Sequence, residues 1–400
     1  MRGPLLPLAC ALALTPLLAA TAPQLGPLSP AMPAEKGFAQ AIDPRTFEFP
    51  ADHGPHPAFR QEWWYVTGNL DATSGERFGF ELTFFRFALA PPAPPLAAAT
   101  STEGRATESS WRTREIYTAH FAVTDVPQQR IRYAQKWSRA ALGLAGAAAD
   151  PFAVWIDDWS IRAHPADATW RLRAQTASYG LSLDLKALTP PVLNGHEGLS
   201  RKSSEPGSAS YYYSLPRLAV HGELRREGHS FTVQGLAWLD REWGSGNLGA
   251  SEVGWDWFGL QLTDGSALMF YAMRNRDGSR DPASGGTWIE SDGHSRELAS
   301  EDVQLEANAH WLSPRGARYP ALWHLKAPGQ GLDVKITPVV ADQELGTVPR
   351  YWEGAVDVSG TRFGQPISGR GYVELVGYDS ESSAARGSPA ARRSAHDGAR

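Results

Sequence analysis

Apolar and polar residues alternate with a period of two along most of this chain, a pattern that suits half-buried β-strands and little else. It is visible in GFELTFFRFAL (79–89), IYTAHFAVTDV (116–126), TWRLRAQTA (169–177), LSLDLKAL (181–188), FTVQGLAWLD (231–240), LDVKITPVV (332–340) and GYVELVGY (371–378), with turn residues between them. The aromatic inventory agrees: 15 Trp, 15 Phe and 12 Tyr in 400 residues favour strands around an aromatic-lined interior over a helix bundle. One segment reads as a helix, RAALGLAGAAAD (139–150), where Ala and Leu dominate and the glycines weaken it. The expected fold is mainly β, antiparallel, with few short helices.

The chain repeats itself. Trp170-Arg-Leu-Arg-Ala174 followed by Gly180-Leu-Ser-Leu is echoed by Trp323-His-Leu-Lys-Ala327 followed by Gly331-Leu-Asp-Val. Val220-His-Gly222, Gly228 and Gly235 are echoed by Val358-Ser-Gly360, Gly364 and Gly371. Two related β units follow, 50–247 and 248–379, each long enough for an antiparallel barrel. An extended Pro- and Ala-rich spacer (23–49) precedes them, and a tail (380–400) without core-forming residues is expected to be disordered. Insertions rich in Pro, Gly and Ser, one from Ala90 onward and one at 193–210, read as long loops or lids.

Residues 1–22 have Arg2, an apolar run through Ala20 and small residues at Ala20 and Ala22, the form of a cleaved secretory leader. The single cysteine, Cys10, lies within it, so the mature chain has no thiol and no disulfide. Pro7-Leu8-Ala9 is a poor lipobox, which disfavours a lipid anchor at Cys10. A periplasmic or secreted location is expected. A formal charge of -5 without a basic run argues against nucleic acid as a partner.

No G-x-S-x-G elbow, H-E-x-x-H or Walker loop occurs. Asp52, His53 and His56 in DHGPH have metal-ligand chemistry, but two flanking prolines make a rigid structural loop the better reading; no metal and no cofactor is expected. The densest polar and aromatic cluster is LAWLDREWGS (236–245). On a strand, Trp238, Asp240 and Glu242 share one face, and Leu239, Arg241 and Trp243 the other. Two carboxyl groups beside a Trp, partly desolvated, hold a proton near neutral pH and suit a general acid at Asp240 with Glu242 as its neighbour. The competing reading is structural, with both acids in ion pairs to Arg241, Arg274 or Arg217. Tyr211 and Tyr213 share a side, as do Trp255 and Trp257, with Asp256 opposite. With Trp238, Trp243 and Trp64 these aromatics are candidate walls of one ligand cavity, against the alternative of ordinary barrel-core residues. Glu62 reads as either a cavity acid or a salt-bridge partner, and His120 as a satisfied histidine.

DHGPH, EWWYVTGNL, FGFELTFFR, YTAHFAVTD, ASYYYSLPRL, AWLDREWG, GWDWFGLQL, DQEL, YWEGAV and GYVELVGY together resemble the tandem lipocalin-like proteins of the AttH and carotenoid 1,2-hydratase type, often labelled secreted hydrolases. The resemblance runs from His53 to Tyr378. It implies two lipocalin-like barrels and an apolar, lipid- or isoprenoid-like ligand. It also implies one of two roles: companion of an ABC export permease, or hydratase of acyclic carotenoid ends. Asp240 matches the hydratase acid. That branch has His and Trp where Tyr211 and Tyr213 align, so the chain is more similar to the AttH-like branch, a binding protein first and a hydratase or hydrolase second.

Overall fold

The computed structural model describes residues 37–92, 113–246, 248–249 and 251–378. The leader, most of the spacer, much of the Ala90 insertion and the tail lie outside the described residues.

The first sheet contains β1 (Gln61–Ala72), β2 (Arg77–Ala88), β3 (Glu115–Asp125), β4 (Arg130–Arg139), β5 (Ala145–Ala149), β6 (Phe152–Ile156) and β7 (Trp159–His164). It continues with β8 (Thr169–Gln175), β9 (Tyr179–Ala187), β10 (Val192–Leu193), β11 (Leu199–Arg201), β12 (Ala209–Arg226) and β13 (His229–Gly244). Its order is β4-β3-β2-β1-β13-β12-β9-β8-β7-β6-β5, with β10 and β11 flanking β12.

The second sheet contains β14 (Glu252–Leu262), β15 (Ala267–Asn275), β16 (Gly285–Ile289), β17 (Ser295–Ala299) and β18 (Gln304–Leu312). After these come β19 (Arg318–Ala327), β20 (Leu332–Pro338), β21 (Glu344–Leu345), β22 (Tyr351–Arg362) and β23 (Gln365–Val376). Its order, β17-β16-β15-β14-β23-β22-β20-β19-β18, reproduces that of the first sheet from β4 to β7, without counterparts of β6 and β5 among the described residues. The echoed sequences occupy equivalent places, β8–β9 with β19–β20 and β12–β13 with β22–β23. The fold is therefore two barrel-like antiparallel sheets, and the helical content among the described residues is three short 3-10 turns.

The helix expected at 139–150 is a turn followed by β5. Leu142 and Gly143 both have positive φ, which ends any helix there, and Ala145–Ala149 pairs with Phe152–Ile156. The alanines supply helix propensity, but the strand ladder satisfies their backbone groups and overrides that weak preference.

Each sheet encloses its own core. Val66, Phe80, Phe84, Phe121, Leu183 and Leu239 belong to the first; Phe258, Phe270, Trp323, Val334 and Val356 belong to the second. A third core lies between the sheets, built from Tyr65, Tyr212, Trp238, Trp257, Met269, Tyr271 and Tyr372. Strands β1, β13 and β14 are accordingly buried on both faces over much of their length, which is why WWYV (63–66) and WFGL (257–260) lack the polar alternation of a half-exposed strand. The backbones come close: a Cβ added to Gly79 would lie 2.7 Å from that of Ala355. Polar clamps fix the register between sheets. Arg77 makes a two-pronged pair with Asp357 (2.6 and 2.9 Å), and Asn69 Nδ2 donates to the Gly371 carbonyl (3.0 Å).

Candidate functional site

The third core is incompletely filled. A cavity of about 120 Å³ opens within it, walled by Trp63, Phe85, Leu248, Trp255, Trp257 and Met273, with Asp240, Glu242, Lys202, Tyr212, His120, Tyr351 and Glu374 supplying polar groups. The site thus lies between the sheets, on the outward face of each, while the enclosed side of each sheet is filled by its own side chains.

Strand parity places Asp240 and Glu242 in this cavity and sends Arg241 to the opposite face. Ser214 lies directly across from Asp240 on β12, and Tyr212 across from Glu242. Asp240 Oδ1 accepts from Ser214 Oγ (2.5 Å) and from the Trp238 indole (2.7 Å); Oδ2 accepts from the Tyr212 hydroxyl (2.5 Å). Tyr212 in turn accepts from Trp257 Nε1 (3.1 Å). No cation touches this carboxyl among the described residues. Burial pushes the Asp240 pKa up to about 7; the three donors pull it back, and the charge of Glu242 adds to the rise.

Glu242 has the opposite arrangement. It accepts from Ser210 and pairs with Lys202 Nζ at 2.8 Å. Lys202 follows β11, so part of the 193–210 insertion is ordered as strand and delivers this ammonium, which lies over the rings of Tyr212 and Tyr271 (5.2 and 5.0 Å). Burial works against its charge, yet Glu242 and its neighbours outweigh burial and the pKa is raised.

The second sheet contributes its own acids. Glu374 Oε1 accepts from Trp255 Nε1 (2.7 Å), and burial pushes the Glu374 pKa up to about 7, with Asp240 and Glu242 raising it further against the pull of its hydrogen bonds. His120 is buried and held neutral, its pKa pulled down by burial to about 3. The Gln135 amide is oriented by its two bonds to the Val348 backbone, so its remaining N–H points to His120 Nε2 (2.8 Å). That leaves the proton on Nδ1, which donates to the Tyr351 hydroxyl (2.8 Å).

The sequence-derived candidates divide. Asp240, Glu242, Trp255 and Trp257 line the cavity, and Trp238 borders it through its bond to Asp240. Tyr211, Tyr213, Trp243 and Trp64 do not. They share a side, as alternation requires, but that side is the interior of the first sheet, where they pack on the segment leading into β1. Trp243 stacks on His56 (3.7 Å between centroids), Tyr213 bonds His53 Nδ1 (2.6 Å), Tyr211 donates to the Asp43 carbonyl (2.9 Å), and Trp64 donates to the His53 carbonyl (2.9 Å). The residue between the two tyrosines, Tyr212, is the one that reaches the site. Asp52 and His56 pair with each other (2.9 Å), and no group of three metal-type side chains occurs among the described residues.

The ion-pair alternative for Asp240 is overturned. Arg241 bonds Glu62, which Arg86 also holds; Arg274 pairs with Asp256 (2.9 Å); Arg217 donates to the Leu262 and Ser266 carbonyls. Glu62 is the salt-bridge partner, outside the cavity. Sequence reasoning passed over Glu374, Lys202 and Tyr212. For Glu374 a signal existed: a carboxylate inside the otherwise apolar strand word GYVELVGY.

Comparison with known proteins follows the same architecture. The model of the AttH-like family matches residues 40–378. The chain belongs to the AttH-like family. The crystal structure of a putative AttH from Nitrosomonas europaea is 36% identical, superposes with a TM-score of 0.73, and is matched over 100% of its length and 85% of this chain. Kievitone hydratase from Nectria haematococca shares the fold at 17% identity and a TM-score of 0.62, over 85% of this chain and 98% of that one. Among curated proteins, the dehydratase asqC of Emericella nidulans is 24% identical over 227 residues, 51% of this chain and 61% of that protein.

Proposed function

We propose that this AttH-like protein is a hydratase or dehydratase, adding water to or removing it from an apolar small molecule in the cavity between its sheets, with Asp240 as the proton donor. One observation carries this reading: Asp240 is a buried carboxyl with three neutral donors, no cation in contact with it among the described residues, and a pKa pushed up to about 7, facing a cavity walled by indoles. Such a group is protonated for much of the time at neutral pH and can give its proton to an isolated alkene or to a departing hydroxyl. The carbocation formed either way lies among the faces of Trp63, Trp255 and Trp257, which stabilise positive charge in a dry site. Hydration and dehydration are the same path read in opposite directions, and the dehydratase relative supports that chemistry. The space suits a ring or a branched isoprenoid end, since apolar cavities of about 150 Å³ accept benzene; the rest of a longer substrate would extend through the opening. Neither the site nor the relatives call for a transport partner, so the exporter-companion role is set aside in favour of chemistry. Export belongs to the reading, with mature protein beginning between Ala20 and Gly26 by N-terminal sequencing.

The test uses sulcatone, a short ketone ending in a trisubstituted isoprenoid alkene, and follows its tertiary alcohol. Asp240→Asn keeps the shape and one acceptor oxygen, with the Tyr212 hydroxyl turning to accept from the amide, but removes the titrating proton, so turnover should fall by at least about 100-fold while sulcatone binding persists. Equal turnover in the wild type and Asp240→Asn would sink the proposal.

A further inference from the structure

A hydratase needs a second group, because the water that adds to the cation must lose a proton. Glu374 faces Asp240 from the other sheet and lines the cavity. Directly across from it, on β22, stands another acid, Glu353. Glu353 is fully buried and Glu374 half-buried at the cavity wall, and neither has a cationic partner among the described residues. Glu353 Oε1 accepts from the Tyr65 hydroxyl (2.7 Å), whereas its Oε2 has no donor around it. Because Glu353 and Glu374 are directly opposed on that ladder, their carboxyl groups share one face of the sheet as a cross-strand pair, and the charge of Glu374 pushes the Glu353 pKa up. Two carboxyl groups meet this way in a dry interior only with a proton between them, since two bare anions would repel and neither could be solvated. Glu353 lies behind the cavity wall and Glu374 in it, so the shared proton resides on Glu353.

We propose that Glu374 is the catalytic base of the hydration and that Glu353 is its positioning residue, holding a proton that it donates to Glu374. The inference rests on the hydratase reading. In the forward direction the Asp240 O–H bond breaks and a C–H bond forms at the less substituted alkene carbon, leaving the cation on its neighbour. Water then forms the C–O bond and gives up one proton to Glu374. The cycle closes when that proton returns to Asp240 through the water that refills the cavity, so alkene plus water becomes alcohol with no other reactant. Facing Glu374 are Asp240, Glu242 and Lys202 from the first sheet, Glu353 beside it, and Glu81 and Tyr351 beyond. The mutual repulsion of Asp240 and Glu374 favours one proton shared over the two, the state in which one is acid and the other base.

Three variants and an infrared measurement test this. Glu374→Gln should lower sulcatone turnover by at least about 100-fold and remove the limb of the pH profile that falls at low pH. Glu353→Gln retains an N–H donor toward Glu374 and an oxygen for Tyr65, so it should turn over close to wild type. Glu353→Leu lacks the donor, which raises the Glu374 pKa and moves the low-pH limb upward. The infrared spectrum near neutral pH should lose one protonated-carboxyl band in Glu353→Gln. The inference is overturned if Glu374→Gln turns over normally while Asp240→Asn does not, if Glu353→Gln is as inactive as Glu374→Gln, if Glu353→Leu leaves the profile unmoved, or if the infrared band survives Glu353→Gln. Equal turnover in Asp240→Asn and wild type sinks the Asp240 reading instead, and the infrared difference still decides whether Glu353 holds the shared proton.

Discussion

Asp240 and Glu62 are buried carboxyls on paired strands, yet they have opposite electrostatic fates. Glu62 faces the interior of the first sheet, where the guanidinium groups of Arg86 and Arg241 hold it and drive its pKa well below the usual carboxylate range despite burial. Asp240, next to Arg241 in sequence, faces the other way and meets hydroxyl and indole donors only. Burial alone therefore says nothing about what an acid does. The identity of its partners decides between a fixed anion that ties strand to N-terminal segment and a titrating acid poised near neutral pH.

The comparison breaks most visibly at Glu62. Glu62→Gln leaves the buried Arg241 guanidinium without its counter-ion and Arg86 with Glu115 alone, and should lower unfolding free energy by about 3–5 kcal/mol, read by urea denaturation. Asp240→Asn strands no charge and removes the cost of ionising a buried acid, so near pH 7 it should be at least as stable as wild type, by up to about 4 kcal/mol more. A loss at Asp240 as large as that at Glu62 would mean that the acid has an ionic partner after all.

The pH dependence of stability should sharpen the contrast, because the two acids have opposite signs. For Asp240 the native pKa lies above the unfolded one, so native protein holds the proton over a range where unfolded chain has released it. Its contribution is complete at low pH and is lost as pH rises from about 4 to about 7, by up to about 4 kcal/mol. Glu62 is the reverse: its contribution is present above about pH 4.5 and is lost as pH falls below that. Denaturation series across pH should therefore show Asp240→Asn flattening the slope between pH 4 and 7, and Glu62→Gln flattening the acid limb. The smallest effect expected is at Glu242, whose charge raises the Asp240 pKa. Glu242→Gln should move the high-pH limb of the turnover profile, set by Asp240, down by less than about one unit, and an upward shift would contradict the like-charge explanation.

The β class, the repeat, and the division of residues 238–243 between two strand faces were all legible before any coordinates, because side-chain direction along a strand is a local property with a period of two. The same rule correctly paired Tyr211 with Tyr213 and Trp255 with Trp257, and placed Asp256 opposite, where it meets Arg274. The misreading at 139–150 came from composition instead, which suggested a helix where a neighbouring strand supplied a ladder.

What the sequence by itself determined, then, is which residues travel together on a face. Which face meets water, its own core or another sheet was decided only by the tertiary structure, since that depends on strands hundreds of residues away. Tyr212, not its neighbours, reaches the cavity because the second sheet packs on that side of β12. Glu374 joins Asp240 although more than a hundred residues separate them, because β14 and β23 are laid against β1 and β13. Lys202 enters from an insertion whose composition signalled only a loop. Pairing of distant strands and the close approach of two sheets at Gly79 are non-local events, and a periodicity read along one strand holds no information about them.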